Sequence, residues 1–192
     1  MYIVAFNGPP RCGKDTMARM LADHMDSKGV TLPVREVSLS TPLRVIAYAM
    51  TGFKGALDGD DYEGFKTTRF LEFDRTGREL MIDVSEKFLK SVYGQEIMAE
   101  LLFAQLSEFT GVALIRDVGF QVELDTLARV VGPRQIYVAC LRREGCDFSN
   151  DSREYVIHKF SHGYENTGSL ADLRTEAGRI YGRLVNQMGW NL

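Results

Sequence analysis

The apolar positions near the start of the chain change from a continuous run to a helical spacing. The run covers residues 2–6, and five consecutive apolar residues are typical of a strand that is buried on both faces. After a short loop, apolar residues recur at i, i+3, i+4 and i+8, which places them on one side of a helix. They are Met17, Met20, Leu21 and Met25. The pattern therefore predicts a strand, a loop and a helix in succession.

Strands and helices continue to alternate along the chain. Continuous apolar segments predict further strands at residues 111–115 and 136–141. Residues 34–39, after Pro33, are a further strand candidate, and a short edge strand is expected at 160–165. Helical periodicity predicts helices from Leu43, from Arg78, from Ile97 after Gly94, over residues 123–131 and from Ser169. Because strands alternate with helices, we expect an α/β domain with a mostly parallel sheet flanked by helices.

The middle of the chain gives more local predictions. Residues 53–77 are rich in glycine and acidic residues, which predicts a loop-rich insert with a solvated acidic turn. Thr41 is predicted to cap the helix that follows it, with Pro42 in the first turn. In the helix from Arg78, one face is predicted to carry Leu80, Val84, Phe88 and Val92.

Composition limits the class of protein. With 192 residues, of which 45% are apolar, the chain is expected to form one globular domain with a full core. It has no apolar run long enough to span a membrane and no signal-peptide pattern. Three cysteines without a C-x-x-C spacing are typical of a reducing cytosol. A net charge of −3 argues against a surface devoted to nucleic acid, although it leaves room for a local basic groove.

The loop after the first strand carries the clearest chemical signal. Residues 8–14, GPPRCGK, fit G-x-x-x-x-G-K between a strand and a helix, which is the setting that a phosphate-binding loop requires. Backbone N–H groups and the helix dipole would converge on phosphate oxygens there, and Lys14 would reach the β- and γ-phosphates. A hydroxyl usually follows the lysine and binds Mg²⁺. Here either Asp15 contributes a carboxylate, directly or through water, or Thr16 takes that role. The predicted nucleotide-binding residues are Gly8, Arg11, Cys12, Gly13, Lys14, Asp15 and Thr16.

Phosphoryl transfer also needs an acid to order the metal and cations around the transferring group. Asp117 closes a buried apolar segment, as a metal-orienting aspartate does, so the predicted metal ligands are Asp15, Thr16 and Asp117. The predicted catalytic residues are Lys14, Asp117 and three arginines around a polar segment after the strand at 136–141, namely Arg142, Arg143 and Arg153. Arg78 could fork onto a monophosphate acceptor.

Several segments together resemble the deoxynucleoside monophosphate kinases of phages. The aspartate after the loop lysine resembles their phosphate loop, and residues 40–44, STPLR, resemble their segment near the acceptor nucleotide. Residues 78–90, including Arg78, Glu86 and Lys90, are similar to another of their patterns. Further short segments resemble their strand-end aspartate motif, their lid and their turn into the last helix: residues 117–120 with Glu123, residues 143–153 and residues 166–170. Where some members carry an arginine after the aspartate, this chain has Val118-Gly119.

The resemblance implies one P-loop kinase domain over residues 1–192, with three layers, a helical acceptor-site insert at about 53–108 and a short lid at about 142–158. It implies transfer of the γ-phosphoryl group of ATP, with Mg²⁺, to a deoxynucleoside monophosphate. Ser40, Arg44, Arg78, Glu86 and Lys90 would bind that acceptor. The alternatives are a kinase acting on a hydroxylated base in phage DNA and an inactive nucleotide-binding protein. The partner is then a small nucleotide, with nucleic acid only under the first alternative and no membrane. A homodimer is possible, and a phage protein expressed in the host cytoplasm is expected.

Overall fold

The computed structural model describes residues 1–149 and 151–192, and these residues divide into two compact units. The first unit is Met1–Ser38 with Phe103–Leu192, and the second is Leu39–Leu102. The predicted insert at about 53–108 overlaps the second unit, while the partition into one domain with an insert and a lid stays a prediction. Among the described residues, no helix is both long enough and apolar enough to cross a membrane.

The secondary structure follows the predicted alternation. Numbered along the chain, the strands are β1 (Tyr2–Asn7), β2 (Val34–Val37), β3 (Arg69–Phe70), β4 (Arg75–Thr76), β5 (Val112–Ile115), β6 (Ile136–Arg142) and β7 (Ser161–Glu165). The α-helices are α1 (Lys14–Ser27), α2 (Thr41–Thr51), α3 (Gly59–Thr67), α4 (Gly77–Asp83), α5 (Lys90–Tyr93), α6 (Ile97–Gln105), α7 (Gln121–Val131) and α8 (Leu170–Asn186). A π-helical segment, Val84–Leu89, joins α4 to α5.

The sheet of the first unit has the order β2-β5-β1-β6-β7, and each neighbouring pair is parallel. The prediction of a mostly parallel sheet is therefore confirmed, including the edge strand near residue 160. From β1 the chain goes to β2 and β5 on one side, then crosses to β6 and β7 on the other. The strand order thus reverses at β1, and ligands of open α/β sheets bind at such a reversal, beyond the carboxyl ends of the strands.

Helices cover both faces of this sheet. Val4 and Phe6 pack with the buried stripes of α1 and α8 in one apolar cluster. The neighbouring residues Ile3 and Ala5 point the opposite way because side chains alternate along a strand. Helix α7 contacts β1 and β6, and its buried leucines lie outside the α1–α8 cluster, which puts α7 on that second face. The α/β class with helices flanking the sheet is confirmed.

The second unit is more regular than the sequence indicated. Residues 53–77 were predicted to be loop-rich, but they contain α3 and the β3–β4 hairpin. The physical reason is an aromatic cluster, because Phe65 is fully buried and its ring lies within 5.3 Å of Tyr48, Phe53 and Phe70, measured between centroids. Burial of aromatic surface stabilises a segment whose glycines and acids disfavour regular structure locally.

Two helix predictions in this unit were wrong in detail. Ser40, not Thr41, is the residue that precedes α2, and Thr41 is already helical. The predicted apolar face from Leu80 is buried only as far as Val84, whereas Phe88 and Val92 are exposed. The π-helical segment explains this difference, because its wider turn rotates the residues that follow it away from the face set by α4.

Candidate active site

The predicted phosphate loop connects the carboxyl end of β1 to α1, and it depends on two glycines. Gly8 has φ +147° and Gly13 has φ +102°, backbone conformations that residues other than glycine rarely adopt. A Cβ on Gly8 would lie 2.5 Å from the carbonyl oxygen of Leu141, and one on Gly13 would lie 2.6 Å from Nδ2 of Asn166. Both positions therefore need glycine for its conformation and for the close approach of other chain segments.

Asn166, which follows β7, holds the loop in place. Its Nδ2 donates to the carbonyl oxygen of Cys12 at 2.9 Å, and its backbone N donates to the carbonyl oxygen of Arg142 at 2.8 Å. Cys12 is fully buried, and burial raises the pKa of its thiol, so the side chain fills space as a neutral group. The amide of Asn166 thus connects the loop to the strand pair β6–β7.

Lys14 lies across the loop. Its Nζ donates to the carbonyl oxygens of Gly8 and Pro9, both at 2.7 Å. Burial lowers the pKa of this ammonium group, and the positive charge of Arg153 acts in the same direction. A phosphate in the loop would replace the two carbonyl acceptors with anionic oxygens, which form stronger hydrogen bonds with an ammonium group.

The predicted strand-end acid occupies the neighbouring strand. Asp117 follows β5, and its Oδ2 accepts a hydrogen bond of 2.7 Å from Oγ of Ser38, which follows β2 and is almost fully buried. Ser38 was missed by the sequence analysis, although a serine at a strand end beside a strand-end aspartate is a usable signal. Glu123 is also buried, and its Oε2 accepts from the backbone N of Gly119, so it is not a surface helix position.

The residues predicted to bind metal do not form a closed cage. Asp15 is mostly exposed, with Oδ1 3.8 Å from Nε of Arg116, and Thr16 is in the first turn of α1. Among residues 1–149 and 151–192, no group of three His, Cys, Asp or Glu side chains could hold a metal ion. Mg²⁺ usually binds one or two carboxylates together with water and substrate phosphates, so a dispersed set of oxygen donors fits it. The roles of Asp15, Thr16 and Asp117 stay predictions.

The three predicted catalytic arginines differ in their surroundings. Nη1 of Arg143 donates to the carbonyl oxygen of Arg11 in the loop at 3.3 Å. Arg142 is exposed and its Nη1 lies 3.9 Å from Glu165, at the end of β7. Arg153 forms a two-pronged contact with Asp151, with Nε 2.7 Å from Oδ1 and Nη2 2.5 Å from Oδ2. Of the three, Arg143 donates to the loop, and the charge of Arg153 influences Lys14 of the loop.

The hydrogen bonds to Asp151 are the largest influence that raises the pKa of Arg153, and the carboxylates of Asp117 and Glu123 act in the same direction. Arg153 therefore stays positively charged, and its charge helps to lower the pKa of Lys14. Two cations, the loop and the strand-end acid are thus brought together within the first unit.

Asn7, the last residue of β1, is a site residue that the sequence analysis missed. Its side chain is fully buried. Nδ2 donates to the carbonyl oxygens of Val118 at 2.9 Å and Glu154 at 3.0 Å, and Oδ1 accepts from the backbone N of Val156 at 3.2 Å. One amide therefore connects the segment that carries Asp117 to the segment that carries Arg153. A polar residue at the end of an apolar strand was the available signal.

The predicted acceptor residues lie in the second unit. Nη1 of Arg44 donates to Oδ1 of Asp58 at 2.5 Å, Nη2 donates to Oγ of Ser40 at 2.9 Å, and the guanidinium lies 4.0 Å from the ring centre of Tyr62. The other members are Arg78 in the first turn of α4, and Glu86 and Lys90, which form an ion pair of 2.6 Å. Acceptor binding by all five stays a prediction.

Comparison with known proteins leaves the activity open. No family model matches the chain, and no curated protein matches its sequence at a significant level. Among solved structures, the fold is similar to a sugar kinase from a Janibacter species, with 13% identity over 95% of each chain and a TM-score of 0.47. A gluconokinase from Sinorhizobium meliloti is similar over 97% of each chain, with 12% identity and a TM-score of 0.45. Likeness at this level supports no statement about activity or substrate.

Proposed function

We propose that this protein is a phosphotransferase that moves the γ-phosphoryl group of ATP to a small acceptor. The observation that carries the proposal is the loop between β1 and α1, with Gly8 and Gly13 at positive φ and the Lys14 ammonium group across its carbonyl oxygens. The loop lies where the strand order reverses, and Asp117 follows the adjacent strand. A loop, a cation and an acid in this relation fit the needs of phosphoryl transfer.

Each residue of the first unit would have a defined role. The backbone N–H groups of Arg11, Cys12 and Gly13 and the Lys14 ammonium group would bind the β- and γ-phosphates, whereas Pro9 and Pro10 have no N–H to donate. Asp117 would orient Mg²⁺ together with Asp15 or Thr16. Bound Mg²⁺ would neutralise phosphate charge and keep the triphosphate in line for attack. Arg143 and Arg153 would stabilise the charge that develops on the transferring group, and Arg142 would contribute if its segment closes over the nucleotide.

For the acceptor we propose a deoxynucleoside monophosphate. This choice rests on the resemblance of residues 40–44, 78–90 and 117–123 to phage kinases of these nucleotides. Ser40, Arg44, Arg78, Glu86 and Lys90 would then bind the acceptor. Phage origin and a place in the host cytoplasm rest on the same resemblance and stay predictions, as does a homodimer.

A coupled assay for ADP release tests the proposal. Purified protein is incubated with ATP, Mg²⁺ and a panel of ribo- and deoxyribonucleoside monophosphates, with Lys14→Ala as the matched inactive control. We expect acceptor-dependent ADP release with at least one deoxynucleotide and none from the variant. If no acceptor in the panel causes ADP release above background, the nucleotide kinase hypothesis is rejected.

Parallel arms separate the alternatives. Transfer of labelled phosphate to DNA containing hydroxymethylated bases, and not to free nucleotides, would identify the DNA kinase. Binding of ATP by calorimetry without transfer to any acceptor would identify an inactive nucleotide-binding protein. The net charge of −3 disfavours the DNA substrate, because contacts to a phosphate backbone require a concentration of positive charge.

A further inference from the structure

Gly119 lies two residues after the strand-end acid and is buried. A Cβ built on it would meet the side chain of Arg153 at all three stem carbons: 2.3 Å from Cδ, 2.5 Å from Cγ and 3.0 Å from Cβ. Its φ is not in the left-handed region, so backbone strain does not explain glycine at this position. What the position lacks is room, because the Arg153 stem runs directly over the Gly119 backbone.

The Arg153 stem has little freedom to move aside. At its far end, the guanidinium is held by two hydrogen bonds to Asp151, whose side chain is 8% exposed. At its near end, the backbone N of Glu154 donates to the carbonyl oxygen of Gly119 at 3.2 Å. The side chain of Gln121 pairs with both the N and the carbonyl oxygen of Ile157, at 2.8 and 3.0 Å. The chain is therefore attached just after Arg153, at Glu154 and Ile157, and the far end of the side chain is held by Asp151.

A methyl group on Gly119 would thus require a real displacement. Ordinary contacts between carbon atoms are about 3.5–4 Å, so the stem would have to move by roughly 1 Å to clear Cδ and Cγ. The attached backbone prevents a rigid shift, which leaves rotation of the side chain and release of the contact to Asp151. Either movement takes the guanidinium away from Asp151 and changes how its charge acts on Lys14, whose pKa it helps to lower.

We propose that Gly119 is a positioning residue for Arg153: the missing side chain at Gly119 lets the Arg153 stem cross the segment after β5 and sets its guanidinium against Asp151. This inference rests on the proposed phosphotransferase function, in which Arg153 stabilises the charge of the transferring group. Gly119 itself has no side chain that could bind a nucleotide or an acceptor. It acts on the reaction only by leaving space for the Arg153 side chain.

The first test compares Gly119→Ala with Gly163→Ala. Gly163 is a matched control because it lies in β7 of the same unit, its φ is ordinary and a Cβ there meets nothing within 4 Å. We expect Gly119→Ala to lower kcat by about 10- to 100-fold, as displacements of about 1 Å do in active sites. The KM for ATP should change little, the urea midpoint should fall because the contact of Arg153 with the buried Asp151 is released, and Gly163→Ala should match the parent protein. A Gly119→Ala protein with parental kcat would overturn the inference.

A double-mutant cycle separates positioning from a general structural role. In the Arg153→Ala background the stem carbons Cγ and Cδ are absent, so adding Gly119→Ala should lower kcat by less than about two-fold further. If Gly119 matters for the local fold alone, the two changes would multiply, and that result would refute the proposal. Asp151→Asn keeps the shape but weakens the anchor, and it should lower kcat with an unchanged KM for ATP.

A readout without catalysis keeps this inference distinct from the proposed function. The Nε–Hε group of Arg153 is bonded to Asp151, and its ¹⁵N resonance can be assigned by its loss in Arg153→Lys. We expect this resonance in its hydrogen-bonded position in the parent protein and in Gly163→Ala, and shifted toward free arginine in Gly119→Ala. An unshifted resonance would overturn the positioning even if the kinase assay succeeds, and a shifted one would support it even if no acceptor is found.

Discussion

Asn7 offers the sharpest single test of how the site is held together. Replacement by alanine removes three hydrogen bonds of a fully buried amide, those to the carbonyl oxygens of Val118 and Glu154 and from the backbone N of Val156. Each contributes about 0.5–1.5 kcal/mol net, and the three backbone groups lose their partner. We therefore expect Asn7→Ala to lower the free energy of unfolding by about 3 kcal/mol.

Aspartate at position 7 is a more demanding variant because it keeps the shape. One carboxylate oxygen can still accept from Val156, but the other faces the carbonyl oxygens of Val118 and Glu154, which are acceptors too. A buried carboxylate that has only one donor and faces two carbonyl oxygens is costly, so Asn7→Asp should be less stable than Asn7→Ala at pH 7.

The pH dependence of the aspartate variant has a definite sign. Burial raises the pKa of such a carboxyl above its unfolded value, so the folded state holds its proton more tightly than the unfolded state does. The loss of stability is complete above the folded-state pKa and shrinks as the pH falls through it. At about pH 4, therefore, Asn7→Asp should recover part of its deficit relative to the parent protein.

The chain contains a natural probe for this measurement. Trp190 is the single tryptophan, is 3% exposed and stacks on Tyr2 with ring centroids 4.6 Å apart, so its fluorescence reports unfolding of the first unit. Urea titrations give the free energy, and an unchanged m-value shows that the unfolding transition is the same. Asn186→Ala, at an exposed position near the end of α8, is the control and should stay within about 0.5 kcal/mol. A loss below about 1 kcal/mol in Asn7→Ala would refute the reasoning.

Further predictions concern the loop and the strand-end acid. Lys14→Ala should weaken ATP binding by about 10- to 100-fold in calorimetry, because charge-assisted hydrogen bonds to phosphate are lost. Because the pKa of Lys14 is lowered, its ammonium group loses its charge at a lower pH than an ordinary lysine does, and the affinity for ATP should fall as the pH rises through that pKa. Lys14→Arg should show no such fall. Gly8→Ala should destabilise the protein by about 2 kcal/mol in urea, since its Cβ would meet the Leu141 carbonyl oxygen, and equal stability would contradict this. Ser38→Ala should cost about 1 kcal/mol and raise the Mg²⁺ concentration for half-maximal activity, because Asp117 loses a hydrogen bond.

Structural elements that depend mainly on residues close together in the sequence could be predicted well. The strand β1, the loop and the helix α1 follow from apolar spacing and two glycines within the first 27 residues, and their interactions are largely local. The centre of the parallel sheet followed in the same way, because β1, β5 and β6 were each marked by an apolar run and the handedness of crossovers restricts the arrangement. Two predictions failed for different reasons: packing around Phe65 outweighed local propensity in residues 53–77, and the π-helical turn rotated the helix face beyond Val84.

Composition and spacing alone were enough to indicate an α/β protein with a phosphate loop, since a turn that needs glycine and a helix that needs an apolar stripe carry those needs in adjacent residues. Only the tertiary structure assigned the supports of that loop. Asn166 reaches Cys12 across 154 positions, and Asn7 reaches Glu154 across 147. Gly119 has no local sign of its dependence on Arg153. Contacts of this kind arise from the packing of strands and loops in three dimensions, and no periodicity in a single sequence encodes which distant residues will meet.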